Sequence, residues 1–224
     1  MAETDIAASF SKSEDVGIGL LPADAKQIYS VGISTGGIAE MRMAGLLPDA
    51  HIIATTIDEK GVAFATELIK EKGLDQQIEV KLEDVAKPLP YEDGHFDYIY
   101  ARLVLHYLSK DDLATTLTEL CRVLRSGGKL FVVVRSVECD DAKREGATYD
   151  PETCLTTCRV TNPDGSTYSY TRYFHTEESI SAALEEAGFA VESVESYDEQ
   201  LFVDFMRTEL ADHLDNVVQV VASK

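Results

Sequence analysis

The stretch that most constrains the fold runs from residue 27 to residue 58. An apolar strand pattern leads into a turn that contains Gly32 and Gly36. A helical pattern and a second apolar strand follow, and that strand ends on Asp58. Glycine has no Cβ, so the backbone can turn sharply there and a ligand can come close to it. Strand, glycine turn, helix and a strand ending on an acid is the order of a nucleotide-binding βαβ unit.

The spacing within this stretch supports the same interpretation. Asp58 follows Gly36 by 22 positions, close to the separation of about 20 at which a carboxylate reaches the ribose of a nucleotide. A glycine turn between a strand and a helix can also be only a tight turn, so a purely structural role stays open. The NAD-binding fingerprint needs a second glycine where this chain has Ser34, which makes NAD the weaker nucleotide alternative.

Size and charge limit the kinds of protein this chain can be. With 224 residues, 45% of them hydrophobic, the chain is long enough for one globular domain with a full core. Its net charge of −20 would repel a phosphate backbone, which argues against nucleic acid as the main partner. No apolar run reaches the ~18 residues of a membrane span, and residues 1–5 lack the basic region of a signal peptide. We therefore predict a cytoplasmic protein without membrane or nucleic-acid partners.

The four cysteines do not form a recognisable metal-binding pattern. Cys154 and Cys158 are four residues apart, but no second pair and no histidine cluster stands at zinc-binding spacing. In a strand, residues four apart share a face, so these two can be neighbours on a hairpin. We predict reduced thiols and no metal site.

After residue 58 the apolar pattern keeps alternating between strands and helices. The predicted strands are 28–31, 52–57, 78–82, 96–100, 130–134, 189–197 and 217–221. The predicted helices are 38–47, 61–72, 111–124, 176–187 and 201–214. This alternation predicts an α/β fold with a parallel sheet covered by helices on both faces. In such sheets ligands bind at the carboxyl ends of the strands.

One segment interrupts that alternation after the fifth strand. Residues 154–160 and 166–174 alternate between polar and apolar side chains, and the turn sequence Asn-Pro-Asp-Gly at 162–165 joins them. Both features favour a β-hairpin, because these residue types adopt the backbone angles that tight turns need. We predict an inserted hairpin at about residues 150–175.

The chain divides into a lead-in and a domain. Residues 1–26 are weakly periodic and contain glycine and proline, so we predict a lead-in or lid segment with one short helix. Residues 27–224 form a single domain that carries the inserted hairpin.

The order of elements, together with four sequence blocks, resembles the class I S-adenosylmethionine-dependent methyltransferases. The nearest branch is type 11, the quinone-biosynthesis-like set that acts on small molecules. The four blocks are residues 28–36, 57–58, 83–97 and 124–130. The third block is the most specific, and the resemblance covers about residues 25–224. It implies a Rossmann-like, doubly wound, mostly parallel seven-stranded sheet with an antiparallel last strand, and S-adenosylmethionine as cofactor.

The resemblance also implies which residues bind the cofactor. They are Ser30, Gly32, Ser34, Gly36, Asp58, Glu83, Asp84, Val85 and Arg102. Asp58 would hold the ribose hydroxyls, and Asp84 would meet the adenine amino group with Val85 beside the ring. Arg102 would lie near the methionyl end and the acceptor pocket.

Two positions depart from the family pattern. Ser30 stands where the family usually has an acid, and Ser34 replaces the middle glycine. A serine is a weaker partner than a carboxylate for the ammonium group of the cofactor. The resemblance as a whole still predicts methyl transfer to a small-molecule acceptor by direct displacement. Two alternatives stay open: an inactive relative that only binds a ligand or partner, and an NAD-dependent oxidoreductase.

A displacement of this kind depends mainly on holding the reactants in position. A general base is needed only if the acceptor must lose a proton. His106 is the candidate, because an unperturbed imidazole titrates near neutral pH, although a packed histidine is equally expected there. The expected partner is the small-molecule acceptor, and the protein is expected to be a monomer or homodimer.

Overall fold

The computed structural model describes residues 11–34, 36–161, 164–202 and 209–224. Within those ranges the α-helices are α1 (Lys12–Gly19), α2 (Ile38–Leu46), α3 (Glu59–Glu71), α4 (Lys110–Val123) and α5 (Glu177–Glu186). The strands are β1 (Gln27–Val31), β2 (His51–Thr56), β3 (Ile78–Leu82), β4 (Phe96–Arg102), β5 (Leu124–Arg135), β6 (Thr148–Tyr149), β7 (Thr156–Thr161), β8 (Thr167–Arg172), β9 (Ala190–Phe202) and β10 (Leu210–Ser223). Short 3₁₀ turns occupy Leu105–Tyr107 and Asp140–Lys143.

Seven strands form the main sheet in the order β3-β2-β1-β4-β5-β10-β9. Strand β1 pairs in parallel with β2 and β4, and β10 runs antiparallel to both of its neighbours. The predicted Rossmann-like α/β fold with an antiparallel last strand is therefore confirmed. The strand order reverses between β1 and β4, so the carboxyl ends of these two strands flank the crevice in which such sheets bind ligands.

Each face of the sheet is covered by helices, as continuous apolar strands require. On one face Tyr29 and Ile99 pack in a cluster with α4 and α5. On the other, Ile28 and Tyr98 pack with α1, α2 and α3. None of the helices in the described ranges is long and apolar enough to cross a bilayer.

Helix α1 is the predicted short helix of the lead-in, and it packs against β4 at Gly17. The backbone oxygen of Gly17 accepts a hydrogen bond of 2.6 Å from the Tyr98 hydroxyl. A Cβ on Gly17 would lie 2.6 Å from the ring of Phe131 and 2.7 Å from that of Tyr100. Glycine at this position therefore lets the helix lie directly on the aromatic side chains of the sheet.

We expect Gly17→Ala to lower the free energy of unfolding by about 1–3 kcal/mol, because overpacking forces the rings or the helix to move. Gly19→Ala is the matched control, since no atom lies within 4 Å of its added Cβ. That control should be neutral or stabilise the protein by up to about 1 kcal/mol through helix propensity. Urea unfolding of both variants tests this, and equal midpoints would contradict it.

The prediction of a helix at 201–214 is wrong in the part of that range that the structure describes. Strand β9 continues to Phe202 and β10 begins at Leu210, and these two residues face each other across the antiparallel pair. The register shifts between Leu210 and Leu214, so the apolar residues there do not alternate as in a regular strand. Residues 203–208 lie outside the described part of the chain. Hydrogen bonds between the two strands outweighed the local helical spacing, a common override of propensity.

Two smaller predictions around β5 and the hairpin also change. Residues 126–128, which fall between the predicted helix 111–124 and the predicted strand 130–134, lie inside β5, because pairing with β4 already begins at Leu124. The hairpin is present as β7 and β8, and β6 adds a third strand just before the predicted hairpin. Of the predicted turn, Asn162 and Pro163 lie outside the described residues.

Candidate functional site

Two cavities adjoin each other at the carboxyl ends of the parallel strands. The arginine cavity, of about 360 Å³, is lined by residues that include Arg102, Arg135 and His106. The acidic cavity, of about 350 Å³, is lined by residues that include Glu83 and Asp84. Gly32, Thr56, Val104 and Tyr107 line both. The two cavities thus meet at the glycine turn after β1, where a sheet of this kind binds its ligand.

Gly32 lies where the cavities meet, and two observations explain why it is glycine. Its φ angle is +77°, in the left-handed region that side chains with a Cβ disfavour. A Cβ there would also lie 2.5 Å from Cγ2 of Val104. The turn therefore brings bare backbone to the edge of both cavities.

In the acidic cavity Glu83 is held by two tyrosines. The hydroxyls of Tyr29 and Tyr91 donate to its two carboxylate oxygens at 2.5 Å and 3.0 Å. Burial and the adjacent Glu83 carboxylate raise the pKa of both tyrosines, so both stay protonated donors. Glu83 therefore has a structural partner for each oxygen, whatever further contact it makes.

The exposed Asp84 and the buried Val85 continue the same wall. One Asp84 oxygen accepts from the backbone N–H of Ala86 at 3.0 Å, which fixes the loop after β3. Ile57 also lines this cavity and is 75% exposed, a large exposure for an apolar side chain. This wall therefore combines carboxylate acceptors with apolar surface, which suits a purine base and its amino group.

Asp58 caps helix α3. Its Oδ1 accepts from the backbone N–H of Lys60 at 3.0 Å, and its side chain lines neither cavity. It follows Thr56 and Ile57, which do line the acidic cavity. A test of any ligand role at Asp58 must therefore separate capping from ligand binding.

Ser30 is hydrogen bonded to a buried acid that sequence reasoning missed. Its hydroxyl donates to Oε1 of Glu40, in the first turn of α2, at 2.5 Å. Ser30 is 1% and Glu40 3% exposed. A carboxylate therefore does lie beside the start of the glycine turn, supplied by the helix instead of the strand. The only signal in the sequence is an acid near the start of an apolar helix.

In the arginine cavity Arg102 is anchored by the lead-in. Its Nε and Nη2 donate to the hydroxyls of Ser13 and Ser11 at 2.6 Å and 2.5 Å. Those two serines in turn donate to the buried carboxylate of Glu199 on β9. Arg135, at the end of β5, forms an ion pair with Asp215 on β10.

His106 lies at the wall of the arginine cavity and is 1% exposed. Among the described residues neither ring nitrogen has a hydrogen-bond partner. Burial, and then the charges of Arg172 and Arg135 and the nearby His175, hold the pKa of His106 well below its usual value. The ring is therefore neutral at pH 7, and a proton is bound only weakly.

The structure brings most of the predicted residues to the two cavities. Gly32, Ser34, Arg102 and His106 line the arginine cavity, and Gly32, Glu83, Asp84 and Val85 line the acidic cavity. Ser30, Gly36 and Asp58 line neither. Sequence reasoning missed Arg135, Leu201 and Phe202, which also line the arginine cavity. Arg135 follows an apolar strand and could have been found there, whereas Leu201 and Phe202 lay in the wrongly predicted helix.

These features define a class of protein. A glycine turn at the point where the strand order reverses, beside a cavity with acceptor oxygens and apolar walls, fits a nucleotide-containing cofactor. The residues present therefore suit an adenosine group in the acidic cavity, and the fold is that of a Rossmann-like cofactor-dependent protein.

Comparison with known proteins finds methyltransferases similar to part of this chain. The methyltransferase domain family Methyltransf_11 matches residues 29–132. A demethylmenaquinone methyltransferase of Bacteroides fragilis is 29% identical over 152 residues, 67% of this chain and 60% of the relative. An O-methyltransferase of Penicillium expansum, cnsE, is 32% identical over 133 residues, 58% of this chain and 46% of the relative. The chain thus spans less than two thirds of the length of either relative.

The fold agrees with these matches. A solved S-adenosylmethionine-dependent methyltransferase of Methanosarcina mazei superposes with a TM-score of 0.69 at 18% identity, covering 92% of this chain and 95% of that one. Residues 29–132 match the methyltransferase domain family, and the fold is similar to that of solved S-adenosylmethionine-dependent methyltransferases. The cofactor named for those structures is S-adenosylmethionine, so the matches favour it over NAD.

Proposed function

We propose that this protein transfers a methyl group from S-adenosylmethionine to a small-molecule acceptor by direct displacement. The observation that carries the proposal is the pair of cavities that meet at Gly32. One offers acceptor oxygens and apolar walls for a nucleoside. The other is large enough for a small organic molecule beside the methionyl end.

In this proposal Asp84 and Val85 bind the adenine, Asp58 binds the ribose, and Arg102 with the glycine turn binds the methionyl end. The buried Glu40, hydrogen bonded to Ser30, supplies the negative charge that the family carries on the strand. Bound there, the cofactor supplies an electrophilic methyl group. Ser30 then need not abolish binding, because the charge next to the turn is retained.

The other task of the chain is to position the acceptor and exclude water. Leu103, Tyr107, Leu201 and Phe202 line the arginine cavity and give it apolar walls. Leu103 has a φ angle of +56°, which is rare for a residue with a branched side chain and is typical of functional sites. The walls favour an acceptor with an apolar body.

His106 contacts the acceptor in this proposal, but it is a weak base. Because its pKa is low, it can remove only a proton that is already acidic. If it acts as a base, His106→Ala should lower kcat with little change in KM. Unchanged turnover at every pH would remove His106 from the chemistry.

The attacking atom of the acceptor is not common to the family. The two relatives are named for different substrates, demethylmenaquinone in one case and an unspecified O-methylated compound in the other. The apolar side chains that line the arginine cavity favour a small acceptor with an apolar body, and we propose that class here.

The proposal is tested by titrating the purified protein with S-adenosylhomocysteine in a calorimeter, with NAD as the control ligand. We expect micromolar binding of S-adenosylhomocysteine and none of NAD. Asp58→Ser should weaken binding at least about tenfold, because serine keeps the helix cap but cannot pair with both ribose hydroxyls. Asp75→Ser, at an exposed turn, should bind as the wild type does.

Two outcomes of this titration would contradict the proposal or part of it. If neither nucleotide binds the folded protein, the methyltransferase proposal is rejected and the inactive-relative alternative gains support. If Asp58→Ser binds normally, the cofactor is held without the predicted ribose contact.

A further inference from the structure

The arginine cavity differs in charge from the rest of the protein. The chain has 40 acidic residues and 20 basic ones. Yet the described residues that line this cavity include Arg102 and Arg135 and no carboxylate. The adjoining acidic cavity has the opposite composition, with Glu83 and Asp84 and no cation among its described lining residues. Each arginine has a carboxylate partner that does not line the cavity, Glu199 for Arg102 and Asp215 for Arg135, so the wall itself presents guanidinium donors.

The two arginines do not have equal capacity to bind a ligand. Arg102 already donates through Nε and Nη2 to Ser13 and Ser11. Arg135 uses Nη1 for its ion pair with Asp215. Its Nε is buried and has no partner among the described residues. A buried donor on a charged group is costly to leave unpaired, so Nε of Arg135 is the donor that an acceptor molecule would satisfy.

A second unpaired group lies at the same wall. His106 is almost fully buried, and neither ring nitrogen has a partner in the described part of the chain. A neutral imidazole carries one N–H donor and one acceptor nitrogen. Arg135 lines the same cavity, and its charge is one of the causes that lower the pKa of His106. The cavity wall thus carries two donor groups for one oxygen-containing ligand.

We propose that the acceptor binds as an oxyanion, a carboxylate, phenolate or enolate on an apolar body, whose charged oxygen accepts from Nε of Arg135 and from His106. The apolar body lies against Leu201, Phe202 and Leu103. This inference rests on the proposed function. It also explains how His106 can be a weak base in a working site, because a ligand that is already ionised needs no strong base in the cavity.

The test uses two anionic probes and one neutral probe on protein saturated with S-adenosylhomocysteine. 4-Nitrophenol absorbs visible light only when ionised, so its absorbance reports its protonation state in the bound form. We expect binding to lower the pKa of the probe by about one unit or more, because a cation faces the oxygen. Benzoate should compete with it, and benzamide should bind at least about tenfold more weakly than benzoate.

Arg135→Lys is the decisive variant. Lysine can keep the ion pair with Asp215, so the fold is preserved, but it has no Nε–H in that position. We expect both anionic probes to bind at least about tenfold more weakly, with S-adenosylhomocysteine binding unchanged. Arg159→Lys, on an exposed residue of β7, is the matched control and should behave as the wild type does.

A second variant removes the charge as well. Arg135→Gln together with Asp215→Asn deletes both members of the buried pair and leaves no unpaired ion. It should abolish the shift in the pKa of 4-nitrophenol. A carboxylate site and a phenolate site are distinguished by which probe binds more tightly.

The remaining outcomes separate this inference from the proposed function. If S-adenosylhomocysteine binds but neither anionic probe does, or benzamide binds as well as benzoate, the oxyanion site is overturned. If Arg135→Lys weakens S-adenosylhomocysteine binding and not probe binding, Arg135 serves the cofactor and the inference is again overturned. If S-adenosylhomocysteine itself fails to bind, the proposed function fails first.

Discussion

Replacing Ser30 by aspartate, an acid as the family resemblance implies for this position, is expected to destabilise this protein by about 3–5 kcal/mol. The hydroxyl of Ser30 lies 2.5 Å from a carboxylate oxygen of Glu40, and both residues are buried. A carboxylate at position 30 would face that of Glu40 at hydrogen-bond distance. Two like charges so close in a buried site cannot both be ionised.

The loss should depend on pH with a defined sign. One carboxyl of the pair must hold a proton in the folded variant, whereas both ionise in the unfolded chain above about pH 5. The folded state then binds more protons than the unfolded state, so its stability falls as pH rises from about 5 to about 8. Urea unfolding of Ser30→Asp at these two pH values, with the wild type beside it, measures the difference.

Glu40→Gln in the same chain should restore most of that stability. The amide that this change introduces can donate to the new carboxylate, so the site again holds one charge. Glu40→Gln alone should cost about 1 kcal/mol, because the Ser30 hydroxyl can still donate to the amide oxygen. If Ser30→Asp is as stable as the wild type at pH 8, the two side chains do not share this buried contact in solution.

The pair of Ser30 and Glu40 shows which site residues could be predicted from the sequence and which could not. Residues next to the ends of strands were found, because apolar runs locate those ends and parallel sheets bind ligands there. Gly32, Asp84 and Arg102 were named from the family resemblance and His106 from its chemistry, and all four line the cavities. The partner of Ser30 was not found, because its position depends on how α2 turns one face toward β1.

The fold shows the same division between local and distant information. Strand β3 agrees with prediction residue for residue, and α5, predicted to begin at residue 176, has a capping box at Thr176 and Ser179. These signals lie within a few residues of each other. The paired strands β9 and β10 are 13 and 14 residues long, and their extension beyond the predicted strands arises from pairing between them. Leu201 and Phe202 reach the arginine cavity only through that pairing.

Replacing Glu199 by alanine is the second change for which we expect a large effect, a loss of about 3–5 kcal/mol. Glu199 is 2% exposed, and its carboxylate accepts from the Ser11 hydroxyl and from the backbone N–H and hydroxyl of Ser13. Nη2 of Arg102 lies 3.8 Å away. The change would remove the acceptor of three hydrogen bonds and leave the charge of Arg102 without its nearest carboxylate.

The effect should be concentrated in the lead-in. Glu199 joins the start of α1 to β9, and among the described residues it is the acid that caps the backbone N–H of Ser13. We expect hydrogen exchange of the amides of residues 13–19 to accelerate at least tenfold in Glu199→Ala, with smaller changes in β1 and β5. Glu192→Ala is the matched control, because Glu192 lies on the same strand but pairs with Lys129 at the surface. It should cost less than about 1 kcal/mol.

The same variant connects the lead-in to cofactor binding. Arg102 lines the arginine cavity and is held there by Ser11 and Ser13, so loosening these serines should also release the guanidinium. We expect S-adenosylhomocysteine to bind Glu199→Ala at least about tenfold more weakly, and Glu192→Ala to bind it normally. Faster exchange in α1 with unchanged affinity would mean that Arg102 does not contact the cofactor. Weaker binding of S-adenosylhomocysteine with unchanged hydrogen exchange in α1 would mean that the charge of Glu199, and not the lead-in, affects cofactor binding.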